Sequence, residues 1–180
     1  MPAIRFKTKL FTIGDSTIFR LPEEESAKLP SRSQVMVKGT INGHDFRNVL
    51  EPDGKWSHWF RLDDVLQKKL GVTAGDEVEL ELDSTKDWIE PDIPDDLKTA
   101  VEGSPEARAM WAKITTMARW EWLRWVNATK NPDTRKHRIE VSISKMKKGM
   151  RRPCCFNRAM CTDPYVSKSG RLLEPAQAAK

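Results

Sequence analysis

Three cysteines and a dense basic run stand close together near the end of the chain. The stretch KKGMRRPCCFNRAMC covers residues 147–161 and contains Cys154, Cys155 and Cys161. Structural zinc sites usually pair their cysteines two to four residues apart, so that one loop wraps a tetrahedral ion. Two adjacent cysteines and a third six positions later fit that spacing poorly, even with His137 as a fourth ligand. The spacing therefore predicts no metal site.

The same cysteines are candidates for thiol chemistry, because the thiolate is the reactive form and nearby cations favour it. Arg151, Arg152 and Arg158 flank them in the sequence. Packed or partly exposed thiols without a chemical role are the plainer interpretation. An odd number of cysteines at one end makes no disulfide framework. A thiol-dependent redox protein or enzyme stays open as a hypothesis.

No other constellation of catalytic residue types is evident. His44, His58 and His137 fall in separate predicted elements, although His44 and His58 lie on adjacent strand candidates and could face each other. Polar residues on a strand surface are the plainer interpretation of both. The turn GVTAGDE lacks the lysine and hydroxyl residue of a phosphate-binding loop. We therefore predict no catalytic residues and no cofactor, and expect a non-enzymatic protein.

The charge is distributed unevenly, with a net charge of +5 and a pI near 9.2. From Lys130 to Arg158, ten lysines and arginines stand against only two acids. The segment from Asp83 to Glu106 has eight acids against two lysines. This polarity indicates either an anionic partner for the basic segment or contact between the two segments.

The basic segment is the best candidate for a binding site, since a dense set of cations can neutralise phosphates. Trp120 is predicted to project away from the apolar stripe of its helix, where it could stack on a base. A solvated charged face is the plainer interpretation. The predicted anion-binding or nucleic-acid-binding residues are Arg135, Lys136, Arg138, Lys145, Lys147, Lys148, Arg151, Arg152 and Trp120.

A protein-binding or ligand-binding surface is a different interpretation of the aromatic content. The chain has seven tryptophans, and Trp56 and Trp59 lie close to a predicted turn at Asp53-Gly54. Strand alternation sends these two side chains to opposite faces, so one of them could be exposed for recognition. Burial in a core is the alternative.

The first eighty residues have the pattern of strands. Asn42-Gly43 separates two strand-like runs and is a favoured pair for a two-residue hairpin turn. Asp63 is placed to cap a short helix, and residues 77–82 alternate between acidic and apolar side chains, as in a half-buried strand. The tripeptide Phe-Arg-Leu begins at both Phe19 and Phe60. This repeat predicts a duplicated half and a small barrel with pseudo-twofold symmetry.

The second half of the chain has the pattern of helices. A short helix is predicted after Pro94, and Ser104-Pro105 is a typical start for a longer one. Its apolar stripe runs through Ala107, Trp111, Ile114, Ala118, Trp122 and Trp125. Asn131-Pro132 ends that helix, and a basic second helix extends to about Gly149. The two long helices predict a hairpin.

Two stretches carry a resemblance to known families. VKGTINGHDFRNVL followed by KKLGVTAGDEVELEL resembles a small bacterial domain of unknown function with an AbrB-like double-split β-barrel. The segment from Trp111 to Arg151, with NATKNPDTRKHRIE at its centre, is similar to the YdeI/OmpD-associated helical domain. The resemblance implies a barrel followed by helices, and a role in protection against bacteriocins or cationic antimicrobial peptides. It implies no catalytic residues.

Together these patterns predict an α+β protein with a small double-split (AbrB-like) β-barrel followed by a C-terminal helical hairpin. The predicted boundaries are 1–83 for the barrel, 84–103 for an acidic connector, 104–152 for the hairpin and 153–180 for a polar cysteine-containing tail. We expect a cytoplasmic binding or stress-protection protein of unknown ligand, without membrane insertion. Its partner would be an unidentified protein or another anionic molecule, and nucleic-acid binding is the alternative function.

Overall fold

The computed structural model describes residues 3–153 and 171–175. These residues divide into a sheet unit, formed by 3–87 and 171–175, and a helical unit, formed by 88–153. The strands are β1 (Ile4–Lys9), β2 (Phe11–Ile13), β3 (Ser16–Arg20), β4 (Val35–Ile41), β5 (His44–Pro52), β6 (His58–Leu62) and β7 (Glu77–Ser84). The helices are α1 (Glu23–Ser26), α2 (Asp64–Leu70), α3 (Asp95–Glu102), α4 (Pro105–Lys113), α5 (Thr116–Asn127) and α6 (Pro132–Lys147).

The strands form one antiparallel sheet in the order β1-β7-β4-β5-β6-β3-β2, curled into a half-barrel. Asn42 and Gly43, at φ 48° and 76°, make the predicted two-residue turn between β4 and β5. Positive φ at both central residues matches the twist of the flanking strands. The concave side of such a sheet collects the alternating apolar residues, and Leu50, Val78 and Leu80 are fully buried there.

The repeated tripeptide lies on two strands that pair with each other. Phe19 of β3 is directly opposite Phe60 of β6, and their ring centroids are 5.6 Å apart. Each copy continues through a short helix into a longer strand, and these two longer strands, β4 and β7, also pair. The predicted duplication of strand, helix and strand therefore accounts for the pairing of four strands. The sheet that they form is curled and is not a closed barrel.

Gly39 allows β4 and β7 to approach closely. It has a φ of 155°, and a Cβ atom built there would lie 1.8 Å from the carbonyl oxygen of Glu81. No side chain fits in that space, because the obstacle is backbone rather than a flexible side chain. Any other residue at this position would force the two strands apart.

The helical unit has four helices, where the sequence pattern predicts a short helix followed by a hairpin of two. The apolar stripe that predicts one long helix is split between α4 and α5, because Ile114 is extended (ψ 157°). The Thr115 hydroxyl then accepts from the amide of Ala118 and caps α5. Ala107, Trp111 and Trp122 of the stripe are nevertheless buried in one core.

The acidic segment also contributes to the helical unit. Its helix α3 follows Pro94, as predicted, and buries Leu97 and Val101 in the core shared with α4, α5 and α6. Leu97 and Val101 are four positions apart and therefore lie on one helix face. The acids of the helix, Asp95, Asp96 and Glu102, are exposed. Among the described residues, none of the helices is both long and apolar enough to cross a membrane.

Candidate functional site

Helix α6 is the element that positions most of the predicted basic site. The Asn131 side chain caps it by accepting from the amide of Thr134 at 2.9 Å, and Pro132 occupies its first position. Ile139, Ser142 and Met146 are the buried residues of the helix. Because they form one narrow face, most of the circumference is left to charged side chains.

Arg135 is held by an acid of helix α3. Its Nε and Nη2 donate to the two carboxylate oxygens of Asp96 at 2.6 and 2.9 Å, and Nη1 donates to Asn127 at 2.7 Å. The paired hydrogen bonds raise the pKa of Arg135 and lower the pKa of the Asp96 carboxyl. Contact between the basic and acidic segments, one of the two predicted consequences of the charge polarity, occurs at this pair.

Arg138 and Lys145 both lie over the ring of Trp125. The Arg138 guanidinium carbon is 5.7 Å from the ring centroid and the Lys145 ammonium nitrogen is 5.4 Å from it. Arg138 also donates to the Trp125 carbonyl at 2.8 Å. Partial burial lowers the pKa of Arg138, because the charged form is poorly solvated. These two cations therefore pack α6 against α5.

Arg152 and Trp120 are engaged as well. The Nε of Arg152 lies 3.3 Å from a carboxylate oxygen of Glu121 on α5. Trp120 is half-buried, and its indole Nε1 donates to the carbonyl of Ile89 at 2.8 Å. Its ring edge is thus fixed by the chain itself, while its proposed stacking on a base remains a prediction.

The remaining predicted cations point into solvent. Lys136, Lys147, Lys148 and Arg151 are exposed, and among the described residues none of them forms an ion pair within 4.0 Å. We call these four residues the exposed cations. Lys136 and Lys147 are eleven residues apart, which is close to three helical turns, so they share one face about 16 Å apart along the axis.

An open groove runs beside the C-terminal end of α6. It has a volume of about 680 Å³, a floor of Ile139 and Ile143, and a rim that includes Lys147 and Lys148. Glu106 lies near this end of α6. Hydrogen bonds from its own backbone amide and from Ser104, together with the charge of Lys147, lower the pKa of its carboxyl. The arrangement offers an apolar surface bordered by two cations.

The histidines lie in three separate surroundings. His58 is fully buried, with Nδ1 2.7 Å from the Ser26 hydroxyl and Nε2 2.8 Å from the Ser33 carbonyl. Burial lowers its pKa. The prediction that His58 lies on a strand surface is therefore wrong. His58 also does not face His44, because His58 pairs with Pro52 and His44 pairs with Ile41. His137 is exposed on α6.

The two tryptophans near the Asp53-Gly54 turn have opposite surroundings. Trp59 is 2% exposed, whereas Trp56 is 71% exposed and has a φ of 76°. The guanidinium of Arg32 lies over the Trp56 ring, 6.0 Å from its centroid, and donates to the Trp56 carbonyl. One of the two tryptophans is exposed, as predicted, but strand alternation is not the reason, because Trp56 precedes β6 and Ser57, His58 and Trp59 are all buried.

The predicted reactive thiols Cys154, Cys155 and Cys161 lie outside the described residues. Within residues 3–153 and 171–175, no three histidine, cysteine or carboxylate side chains are grouped to hold a metal ion.

Sequence reasoning missed a buried carboxylate of the sheet unit. Asp53 is fully buried, and one carboxylate oxygen accepts from the amides of Lys55 and Ser57 at 2.7 and 2.8 Å. The other oxygen lies 2.7 Å from Nε of Arg20, in an ion pair. The Asp-Gly pair is recognisable as a turn, but nothing in the sequence indicates that the aspartate is buried.

Comparison with known families assigns the two halves of the chain separately. Residues 6–82 match the domain of unknown function DUF1905, and residues 90–149 match the family described as "bacteriocin-protection, YdeI or OmpD-associated". The two ranges coincide with the sheet unit up to β7 and with helices α3 to α6. No curated protein matches the chain. The chain thus combines a DUF1905-like region with a YdeI/OmpD-associated-like region, in that order.

Proposed function

We propose that the protein is a non-catalytic binding protein that protects bacterial cells against bacteriocins. The observation that carries this proposal is the match of residues 90–149 to the bacteriocin-protection family. This range contains α3, α4, α5 and α6 entire, together with the residues that form their common core. The resemblance therefore applies to a whole folding unit and not to an isolated motif.

The exposed cations are the proposed contact surface of this protein. A cation without an internal carboxylate partner keeps its full charge for an external one, and charged rims guide encounter and orientation. Lys147 and Lys148 border the groove whose floor is Ile139 and Ile143. A partner that presents carboxylates around an apolar side chain would match both features. We propose an acidic protein surface as that partner.

Challenge of living cells tests the proposed role. A bacteriocin-sensitive strain would express the full chain or carry the empty vector, and survival would be measured across a bacteriocin dilution series. Protection predicts that the killing curve shifts to higher bacteriocin concentration when the chain is present. Identical curves at matched expression would contradict the proposed function.

Nucleic-acid binding is the second candidate, and the exposure of the same four cations favours it. Each phosphate contact adds about 0.9 to the salt slope on duplex DNA, so four contacts give a slope of at most about 4. A gel shift with unrelated DNA and RNA at low salt would measure this. Absence of any shift would exclude this candidate.

Two further parts of the proposal concern the family relationship of the sheet unit and the cellular location of the protein. The pairing of the two strand–helix–strand copies supports a relation of the sheet unit to AbrB-like double-split barrels. We also propose that the protein is cytoplasmic, because three cysteines, odd in number and crowded into residues 154–161, do not make a disulfide framework and suit a reducing compartment. Fractionation of cells that express the full chain, with periplasmic and cytoplasmic markers, tests the location.

A further inference from the structure

A short segment near the C-terminus packs onto the outer strands of the sheet unit. Leu172 is 3% exposed and lies in a cluster with Ile13, Ile18 and Trp59, all of which are nearly inaccessible to solvent. Its backbone amide donates to the carbonyl of Asp53 at 2.7 Å. The segment therefore uses an apolar side chain and a main-chain hydrogen bond, which are typical of peptide recognition on a sheet.

An acidic side chain two residues later completes the contact. Glu174 lies 2.5 Å from the ammonium nitrogen of Lys55 and 3.8 Å from a guanidinium nitrogen of Arg20. Arg20 is itself fixed by the buried carboxylate of Asp53 at 2.7 Å. Two cations thus converge on one carboxylate, beside the apolar cluster that takes Leu172.

The receiving surface is built by the sheet and not by the segment that covers it. Trp59 is positioned by its pairing with Arg20 across β3 and β6, and its indole nitrogen donates to the carbonyl of Pro52 at 3.1 Å. Asp53 holds the loop that carries Lys55 through the amides of Lys55 and Ser57. A surface organised in advance loses less entropy when it binds a peptide.

The covering segment lies far along the chain from the strands that it contacts. Residues 154–170 separate it from the end of the helical unit. Because the segment belongs to the same chain, it fills the surface intramolecularly, so weak intrinsic affinity is enough. A segment of the same pattern in another protein would then compete with it.

We propose that this surface is a docking site for peptide segments of a partner protein in which two adjacent aliphatic residues are followed by an acidic one. The chain's own Leu172-Leu173-Glu174 occupies it intramolecularly. Leu173, which is partly buried against the same cluster, supplies the second aliphatic contact. The site is separate from the surface proposed for the helical unit, and its test is independent of bacteriocin protection.

Titration of a fluorescein-labelled peptide tests the proposal. The peptide SGRLLEPAQ, which has the sequence of residues 169–177, would be added to the full chain and to its Leu172→Asp variant, with fluorescence anisotropy as the readout. The variant releases the chain's own segment, so it should bind the peptide at least tenfold more tightly than the unaltered chain. Absence of saturable binding to the folded variant would overturn the proposal.

Charge exchange shows whether binding uses the predicted geometry. Adding Lys55→Glu to the Leu172→Asp chain should weaken binding of the peptide at least fivefold. A peptide with lysine in place of the glutamate should recover affinity for that chain, while Lys68→Glu, on a distant exposed helix, should have no effect. Equal affinities for all of these combinations of chain and peptide would contradict the proposed site.

A second form of the chain covers the case in which Leu172→Asp prevents folding. A chain that ends at Gly170 lacks the segment without introducing a charge into the apolar cluster, and circular dichroism reports whether it folds. Peptide binding to this chain supports the proposal. If both forms unfold even with the peptide present, the segment is a fixed part of the core and the proposal is wrong.

Discussion

The two units use their ionisable side chains in opposite ways. The sheet unit buries Asp53 and His58 completely, whereas the helical unit keeps Asp96 and Arg135 near the surface and the exposed cations in solvent. A buried charge must be paired to be tolerated, so it fixes local structure, while an exposed charge is screened and contributes little to stability. Stability should therefore depend on the buried charges of the sheet unit, and the proposed bacteriocin protection on the exposed charges of the helical unit.

The largest predicted effect is that of Asp53→Ala. It removes the partner of Arg20 and the acceptor of two backbone amides, so the free energy of unfolding should fall by about 3 kcal/mol. We expect the lower end of the range for buried pairs, because a third of the Arg20 side chain remains in solvent. Urea denaturation followed by circular dichroism measures this.

Asp96→Ala is the matched control, because it also removes an aspartate paired with an arginine. The Asp96 side chain keeps 45% of its surface in solvent whereas that of Asp53 keeps none, so the loss should be at most about 1 kcal/mol and should shrink in high salt. Equal losses of unfolding free energy in the two variants would contradict the proposed difference between the two units.

The next largest effect is a pH dependence of stability that originates at His58. Burial keeps the neutral form, so the pKa in the folded protein is below the unfolded value of about 6.5. The unfolded chain therefore binds the proton first, and stability is full above pH 6.5 and falls as the pH decreases below it, by up to about 1.4 kcal/mol per pH unit. His58→Gln should flatten this slope in urea titrations from pH 7 to 5. An unchanged slope would exclude His58 as its source.

Arg138→Ala should have a smaller effect within the helical unit. It removes a hydrogen bond to the Trp125 carbonyl and a cation from the Trp125 ring, which together should cost about 1–2 kcal/mol. Lys136→Ala, two residues away at an exposed position, should change stability by less than about 0.5 kcal/mol. Thermal unfolding of both variants would show whether engaged and exposed cations differ as the structure indicates.

The smallest expected effect on stability is that of Lys147→Glu/Lys148→Glu. Both side chains are exposed, and surface substitutions usually stay within about 0.5 kcal/mol. Lys68→Glu/Lys69→Glu is a matched control, since it reverses two adjacent exposed lysines in the last turn of α2. Denaturation midpoints of the two variants should agree with that of the unaltered chain. A large loss of stability in the α6 variant alone would mean that Lys147 and Lys148 stabilise the fold.

Local signals were sufficient to predict much of the fold. The Asn42-Gly43 turn, the Asp63 cap and helix α3 depend on short-range chemistry, and each is present as predicted. The curl of the sheet and the break at Ile114 are set by long-range packing. The apolar stripe continues through that break, so periodicity alone cannot reveal it.

The sequence predicts which residues of the candidate site are basic, but not which internal partner each of them contacts. A run of cations identifies α6 as basic, yet sequence does not show which cation finds Asp96, Trp125 or Glu121. Those partners lie on other helices, between 13 and 39 residues away for Arg138 and Arg135. The buried Asp53 and His58 were missed for the same reason, because burial of a polar residue depends on its distant partners.

Bacteriocin survival of the two matched charge-reversal variants tests the central claim most directly. Sensitive cells would express the unaltered chain, Lys147→Glu/Lys148→Glu or Lys68→Glu/Lys69→Glu at equal levels. The account predicts that the α6 variant loses protection while the α2 variant retains it, although both are equally stable and carry the same net charge. Full protection by the α6 variant would contradict the proposed binding surface.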